Sequence, residues 1–311
     1  CCSSSPKGGC ITEYDLSGPI PESLGEVTEL TSLRLPLNEL DGNIPDGIGN
    51  LTKLEELSLD WNELAGRIPR RIGDITSLKK LELQTNQLSG PIPESIVNLV
   101  NLETLSLNDN QLTGIIPESI GGLTELRTLE LYKNVLNDEI PESIGDLFNL
   151  TVLNIGENQL SGSIPESIGN LLELKKLGLY NNQLTGSIPE ELGYLANLEL
   201  LSLNDNKLTG SIPENIGDLE NVTIIMLNSN QLNGNIPESI GGLHKLTTLK
   251  LFQNELSGVI PESICALEHV VFTLEDKYKK SNIFDNHLCP PYPECVEEFI
   301  GNQDTSKCRE K

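Results

Sequence analysis

Apolar residues recur along most of the chain in a fixed pattern 24 residues long. The interval Leu99 to Gly122 shows this pattern without a flaw, as L-x-x-L-x-x-L-x-L-x-x-N-x-L-x-G-x-I-P-x-x-I-G-x. Its proline returns at the same interval from Pro21 to Pro261, and its asparagine returns from Asn38 to Asn254. Ten complete units therefore follow one another without an insertion or a deletion.

Each unit predicts a short strand, a turn and a short helical return. In the strand, the period of two directs Leu105 and Leu107 inward and Ser106 outward. Asn110 ends the strand, and its amide can satisfy backbone groups of its own turn and of the neighbouring coil. A glycine permits a tight backbone, and Pro117 fixes the entry to the return. Since one coil cannot bury its leucines alone, the units must stack and the ends need caps.

The unit resembles the plant-type leucine-rich repeat, and this resemblance covers Leu16 to Leu267. It implies an α/β solenoid: a right-handed leucine-rich-repeat superhelix with a concave parallel β-sheet, a second short strand, short 3-10 or α-helices on the convex side, and disulfide-stapled ends. The predicted domains are an amino-terminal cap remnant at 1–15, repeats at 16–267 and a cysteine-containing cap at 268–311. The chain is similar to polygalacturonase-inhibiting proteins and to plant receptor ectodomains of this repeat family.

The charge of the chain is strongly negative. Lys plus Arg number 21 against 46 Asp plus Glu, a formal net charge of −25, which disfavours nucleic acid because phosphate contacts need a basic surface. No apolar run approaches the roughly 18 to 20 residues of a membrane-spanning helix, so we expect no membrane insertion. The acidity lies mostly outside the concave face, and all but Arg70 of the residues that follow the repeat prolines are acidic. A carboxylate there suits the first turn of a helix, although a basic partner could also use the stripe.

All seven cysteines lie near the ends, which is typical of an oxidising, extracellular compartment. The odd number leaves one unpaired, and the start at Cys1 indicates a processed or truncated fragment. The four carboxy-terminal cysteines allow three pairings. The resemblance implies a Cys2–Cys10 disulfide, and similarity to the inhibitor caps favours Cys265–Cys289 and Cys295–Cys308.

Unusual side chains on the concave face are the candidate binding residues. An apolar group in the carboxy-terminal half, where polar residues are normal, is predicted to anchor a partner; the alternative is contact with the cap. Its members are Tyr180, Leu200, Ile224, Met226 and Phe252. A secondary group in the amino-terminal half mixes aromatic and charged side chains, namely Asp60, Trp61, Glu82, Tyr132 and Lys133.

Small polar residues form two rows beside the second short strand. Regularly spaced hydroxyls and amides can order water, and ice-binding members of this repeat family are known, whereas solvated turns also favour these residue types. The rows are Ser161, Ser163, Thr185, Ser187, Thr209, Ser211, Asn233 and Asn235. Three sequons, at Asn50, Asn149 and Asn221, are candidate glycosylation sites away from the concave face.

Catalytic chemistry has little support in the sequence. The three histidines have no nucleophile and acid arranged near them, metal-ligand spacing is absent, and the glycines follow the repeat instead of forming a phosphate loop. We therefore expect no enzyme, no metal and no cofactor. The sequence predicts an extracellular, secreted or cell-surface recognition module for a protein or peptide: a secreted hydrolase if the chain is inhibitor-like, or a peptide or co-receptor if it is receptor-like. An ice-binding or structural surface protein is the alternative.

Overall fold

The structure, a computed structural model, describes residues 16–274 and 281–308. The predicted Cys2–Cys10 disulfide and the unpaired cysteine fall outside these ranges. The described residues belong to two compact units, Cys1–Asn137 and Asp138–Lys311. Within the described ranges, no helix has the length and apolar character that a membrane crossing requires.

Each of these two compact units contains a series of three-residue parallel strands, one per 24-residue repeat, which we call the first strands. In the amino-terminal unit they are Ser32–Arg34, Glu56–Ser58, Lys80–Glu82, Thr104–Ser106 and Thr128–Glu130. In the carboxy-terminal unit they are Val152–Asn154, Lys176–Gly178, Leu200–Ser202, Ile224–Met226 and Thr248–Lys250. Neighbouring first strands pair in parallel with the register of the repeat, so that Leu81 lies opposite Leu105 and Leu201 opposite Ile225.

A second series of strands, two to five residues long, is interspersed with the first strands along the chain. They are Ser17–Pro19, Glu39–Asp41, Ala65–Gly66, Gln87–Pro91, Gln111–Gly114, Val135–Glu139, Gln159–Ser161, Asn233–Gly234, Glu255–Val259 and His287–Cys289. Their register differs from that of the first strands, because Gln111 pairs with Ser89 and Glu255 pairs with Asn233, 22 residues earlier in each case. The intervening chain turns at glycines of positive φ such as Gly114 (φ 79°).

Short 3-10 helices complete the repeats. They are Glu22–Glu26, Asp46–Asn50, Arg70–Asp74, Glu94–Asn98, Glu118–Gly122, Glu142–Asp146, Glu166–Asn170, Glu190–Tyr194, Glu214–Asp218, Glu238–Gly242, Glu262–Ala266, Glu297–Phe299 and Thr305–Lys307. In the repeats each helix begins directly after the proline; Ile120 N–H, for example, donates to the Pro117 carbonyl over 2.9 Å. The predicted role of the proline is confirmed, and the acidic residues after it occupy the first helical turn.

The core is built from the aliphatic positions of the repeat. Leu105 and Leu107 are fully buried, and Ile120 of the same repeat is also buried. The residues that alternate with these leucines point away from the core, and we call the surface that they form the strand face of each unit. Stacked parallel strands with 3-10 returns are the architecture of the predicted leucine-rich-repeat solenoid.

The asparagines form the expected ladder of side-chain hydrogen bonds. Asn182 Nδ2 donates to the carbonyls of Ile155, in the preceding repeat, and of Leu179, in its own repeat, over 3.1 Å each. Its Oδ1 accepts from Leu160 N–H over 3.0 Å. One side chain thus satisfies backbone groups of two repeats, as the sequence predicted.

The two disulfides of the carboxy-terminal segment join Cys265 to Cys295 and Cys289 to Cys308. The expected pairing of Cys265 with Cys289 and of Cys295 with Cys308 is therefore wrong. All four cysteines are nevertheless bonded within this segment, as expected for a stapled end.

The path of the chain explains the correct pairing. Cys289 ends the strand His287–Cys289 and lies opposite Val259 in its register. The 3-10 helix Thr305–Lys307 packs against this strand and brings Cys308 to Cys289, with 5.6 Å between the Cα atoms. Spacing along the sequence could not show this return of the chain.

The segment around Asn286 in the carboxy-terminal cap has the same structure as part of a repeat. Ile283 is fully buried, and Asn286 extends the ladder: its Nδ2 donates to Leu251 O over 3.0 Å, and its Oδ1 accepts from Leu256 N–H over 3.0 Å. Asn286 follows Asn254 by 286 − 254 = 32 residues instead of 24, so the 24-residue interval does not predict its place in the ladder. The motif Asn-x-Leu that it begins was the signal available in the sequence.

Candidate ligand-binding surfaces

Three apolar residues are contiguous on the strand face of the carboxy-terminal unit. Leu200 lies opposite Ile224 in the parallel register, and Met226 follows two residues after Ile224 on the same face. All three side chains are half-buried and so keep apolar area in contact with water. The structure thus brings these predicted anchors together.

Tyr180 reaches this face by lying across a neighbouring repeat. A Cβ added to Gly156 would come within 2.5 Å of Tyr180 Cε1, and one added to Gly178 would lie 3.5 Å from the same atom. The ring therefore rests on backbone that carries no side chain, and it remains half-buried. Tyr180, Leu200, Ile224 and Met226 are called the apolar patch below.

Phe252 does not belong to this exposed group. It is only 4% exposed, and its ring stacks on Phe284 of the carboxy-terminal cap with 5.1 Å between the ring centroids. The expectation that it is a partner-binding anchor is wrong, because the repeat-like segment around Asn286 places Phe284 over it. The alternative considered from the sequence, contact with the cap, is the correct one.

The secondary candidates of the amino-terminal unit fall into two places. Glu82 ends the strand Lys80–Glu82, Asp60 follows the adjacent strand Glu56–Ser58, and Trp61, which is 54% exposed, follows Asp60. Tyr132 and Lys133 follow a first strand two positions further along, roughly 10 Å away at the spacing of strands. Lys133 Nζ lies 2.8 Å from Asp109 Oδ1 and so pairs outside the group around Asp60.

The surroundings of Glu82 disfavour the charged form of its carboxyl group. Burial of the carboxyl, followed by the nearby carboxylate of Asp60, raises the pKa of Glu82 above its usual value. Glu56 acts in the same direction, whereas Lys80 and Arg34 act against it. The two cations thus compensate the carboxylates of this face only in part.

A backbone feature of the strand faces was missed from the sequence. The residue before each ladder asparagine has a positive φ although none is glycine: Leu37, Trp61, Thr85, Asp109, Lys133, Glu157, Asn181, Asp205, Ser229, Gln253 and Asp285, with φ between 50° and 57°. The left-handed conformation turns the chain away from the strand, so these side chains do not continue its alternation. Varied residue types occupy the position, which left no compositional signal.

The small polar rows lie at an interrupted part of the second-strand series. Ser163 bridges to Thr185 and Ser211 to Asn233, as isolated pairs. Ser187, Thr209 and Asn235 are exposed, as are Ser163, Thr185, Ser211 and Asn233, whereas Ser161 is half-buried. The expected rows therefore exist as exposed groups, but no continuous strand ladder supports them between Ser161 and Asn233.

The three sequons lie on the helical side of the repeats. Asn50 is exposed at the end of its 3-10 helix, and Asn149 is half-buried. Asn221 Nδ2 donates to Ala196 O over 2.8 Å, so this amide also links two repeats. Glycosylation at these sites stays a prediction.

Metal ligands do not converge in the part of the chain that the structure describes. No group of three or more His, Cys, Asp or Glu side chains there has the geometry to hold a metal ion. The surfaces described above instead offer hydrogen-bond acceptors, aromatic rings and aliphatic side chains, which suit the binding of another molecule.

Comparisons with known protein families agree with the repeat architecture. Three family profiles match, described as "Leucine-rich repeat region" at residues 93–202, "Leucine rich repeat" at 196–256 and "Leucine Rich Repeat" at 77–99. Together they extend from 77 to 256. Comparison with curated protein sequences gives no match.

Solved structures of plant receptors are similar to the chain. The plant peptide hormone receptor RGFR1, in complex with RGF2, is 37% identical with a TM-score of 0.85, over 89% of this chain and 44% of the receptor chain. The Arabidopsis receptor kinase HAESA, in complex with the peptide hormone IDA and the co-receptor SERK1, is 33% identical with a TM-score of 0.74, over 88% of this chain and 49% of that one. The chain thus spans about half the length of these receptor chains.

A protein of another function has a more similar length. The crystal structure of a plant ice-binding protein is 29% identical with a TM-score of 0.67, over 85% of this chain and 83% of that one. The same repeat architecture therefore occurs in proteins that bind peptides and in a protein that binds ice.

Proposed function

Because the chain belongs to the plant-type leucine-rich-repeat family, we propose that it is a non-catalytic recognition module that binds a protein or peptide on the strand face of its carboxy-terminal unit. The apolar patch carries this proposal. Leu200, Ile224 and Met226 lie on paired strands, Tyr180 follows the adjacent strand Lys176–Gly178, and all four side chains still expose apolar area. A partner that covers the patch gains hydrophobic free energy.

The patch is suited to binding because its side chains are held in place before a partner arrives. Strands fix the backbone of Leu200, Ile224 and Met226, and the Tyr180 ring rests on Gly156 and Gly178. Less side-chain entropy is then lost when the partner binds, so more of the contact energy appears as affinity. Aromatic and aliphatic anchors of this kind are typical of protein interfaces.

An extracellular location fits the same function. The disulfides Cys265–Cys295 and Cys289–Cys308 require an oxidising compartment during folding. The structures of RGFR1 and HAESA contain peptide hormones, which supports a peptide as the partner of this chain. A secreted hydrolase remains the inhibitor-like alternative, with the same patch as its contact surface.

Selection of peptides from a random library tests this function and does not require the partner to be identified first. The library is selected on the immobilised protein, and the affinities of the recovered peptides are measured for wild type and for Ile224→Ser. We expect the substitution to weaken binding at least tenfold, the usual size for the loss of an anchor. Leu172→Ser, which removes a 56% exposed leucine from the helical side, is the matched control.

Two outcomes would refute the assignment of the patch. Recovered peptides could bind Ile224→Ser as tightly as wild type, or they could lose affinity equally for Ile224→Ser and Leu172→Ser. Thermal unfolding of both variants is measured in parallel, so that a loss of folded protein is not counted as a loss of affinity.

Ice binding is the second candidate, supported by the exposed small polar residues and by the similarity to the plant ice-binding protein. The interrupted second-strand series beneath these residues is the reason for ranking it below recognition. An ice-recrystallisation assay compares wild type with Thr209→Arg, which places a bulky cation among them. Normal crystal growth in the presence of wild type rules this function out.

A further inference from the structure

Two acceptor atoms on the strand face of the amino-terminal unit are buried and have no hydrogen-bond partner. They are Gln84 Oε1 and Asn108 Oδ1. The residues lie side by side in adjacent repeats, since Thr85 N–H donates to Asn108 O over 2.9 Å. Asn108 is only 5% exposed although its position on the strand face points away from the core. A buried acceptor without a donor costs free energy, and such groups are rare in folded proteins.

Carboxylates lie next to these acceptors. Glu82 precedes Gln84 by two residues, and the buried Leu83 between them places both on the same face. The Glu82 carboxylate accepts no hydrogen bond and joins no ion pair within residues 16–274 and 281–308. Asp60 follows the adjacent strand, and one of its oxygens, Oδ1, accepts from Ser58 Oγ over 2.7 Å.

In the described part of the chain, the surrounding cations do not form ion pairs with the carboxylate of Glu82. Arg34 Nη1 is 3.6 Å from Glu56 Oε1 and so faces a different carboxylate. Lys80 is exposed and is not in an ion pair with Glu82 in the described structure. The raised pKa of Glu82 has the same origin, because its burial and Asp60 outweigh both cations.

We propose that Asp60, Glu82, Gln84 and Asn108 bind the guanidinium group of an arginine that a peptide or protein partner presents. The proposal rests on the proposed recognition function and adds to it a chemical group of the partner and a second surface. A guanidinium has five N–H donors and no acceptor, which complements four neighbouring side chains that here offer oxygens. An ammonium has three donors and is more strongly hydrated, so it fits less well.

Trp61 supplies the second contact that distinguishes arginine. Its backbone N–H donates to Gln84 O over 3.0 Å, which places Trp61 beside Gln84, and its side chain is more than half exposed. Guanidinium groups stack on aromatic faces in addition to their hydrogen bonds. The cluster and the indole together form a site with one planar cation as its occupant.

Trp61 is also the reporter for the test, because it is the single tryptophan of the chain. Its fluorescence is followed while wild type is titrated with the peptide acetyl-Gly-Arg-Gly-amide at low ionic strength. The matched ligand replaces arginine by citrulline, which keeps the shape and removes the charge; a third peptide carries lysine. We expect a saturable change with the arginine peptide and at least tenfold weaker binding of the other two.

Variants locate the response within the cluster. Glu82→Gln keeps the size of the side chain and removes its charge, and we expect it to weaken binding of the arginine peptide at least tenfold. Asn108→Leu removes a neutral acceptor, and we expect a loss of at least threefold. Glu94→Gln makes the same charge change in a 3-10 helix of the same unit and is expected to leave the affinity unchanged.

The outcomes separate this proposal from the proposed function. Equal binding of the arginine and citrulline peptides, equal binding of the lysine peptide, or an unchanged affinity of Glu82→Gln would each overturn the guanidinium site. Peptides selected on the apolar patch would in that case still bind wild type and still lose affinity for Ile224→Ser. Conversely, the arginine site could be confirmed while the selected peptides bind Ile224→Ser as tightly as wild type. That result would refute only the assignment of the apolar patch as a binding surface.

Discussion

The ring of Phe252 stacks on the ring of Phe284, with 5.1 Å between the centroids and 30° between the planes. This contact closes the strand face of the carboxy-terminal unit on the side of the cap. An aromatic residue that the sequence offered as a binding anchor is therefore part of the core between the last full repeat and the half-repeat around Asn286. Phe252 is therefore not available to a partner of that unit.

Phe284→Ala is expected to destabilise the protein. The substitution removes the stacked pair and opens Phe252 to water, which we expect to lower the free energy of unfolding by about 1 to 3 kcal/mol. Denaturant unfolding followed by circular dichroism measures the change. Phe148→Ala is the control, because Phe148 is 57% exposed and its removal is expected to cost less than about 0.5 kcal/mol. Equal effects of the two substitutions would contradict the described packing.

Gly156→Ala tests the position of the Tyr180 ring. In wild type, the new methyl would lie 2.5 Å from Tyr180 Cε1, so the ring must move and the substitution should destabilise the protein or alter binding at the patch. In the Tyr180→Ala background this obstacle is gone. There, Gly156→Ala is expected to be neutral or to stabilise by about 0.4 to 1 kcal/mol, because alanine restricts the unfolded chain. A double-mutant cycle by thermal unfolding measures the coupling, and its absence would show that the ring lies elsewhere.

Glu82→Gln is expected to raise stability at neutral pH. The folded-state pKa of Glu82 lies above its unfolded value, so the folded protein favours the protonated carboxyl. The resulting contribution to stability is fully present below the unfolded pKa and is lost as the pH rises through the raised folded pKa. The melting temperature of Glu82→Gln should therefore exceed that of wild type at pH 7, and the difference should shrink towards pH 4. A difference that grows on acidification would refute the direction of the shift.

Asn182→Leu is expected to destabilise the ladder although leucine is apolar and similar in size. The substitution leaves the buried Leu160 N–H without its acceptor and removes one of two donors to the Ile155 carbonyl, which keeps Asn158 Nδ2. One buried unsatisfied group costs about 1 to 3 kcal/mol, and we expect a loss in the free energy of unfolding within that range. Gln183→Ala, at an exposed neighbouring position, is the control and should change stability by less than about 0.5 kcal/mol. Similar midpoints of denaturant unfolding for both variants would contradict the role of the ladder.

The candidate site was only partly predictable. Tyr180, Leu200, Ile224 and Met226 were found from the sequence because apolar residues are unusual on the solvent side of a strand. Gln84 and Asn108 were not found from the sequence, since amide side chains are ordinary at such positions. Only the tertiary structure shows that their oxygens are buried without a hydrogen-bond donor. Asp60, Trp61 and Glu82 were noticed as an unusual group, but their spatial separation from Tyr132 and Lys133 required the fold.

The sequence by itself determined the repeat, because a 24-residue period in leucine, asparagine, glycine and proline can be satisfied by one stacked architecture. Local rules of this kind placed the strands, the 3-10 returns and the asparagine ladder. Only the tertiary structure decided the disulfide pairing, the burial of Phe252 and the left-handed residues before the ladder asparagines. These depend on where distant segments of the chain meet and on backbone turns that many residue types tolerate, and neither leaves a periodic signal in the sequence.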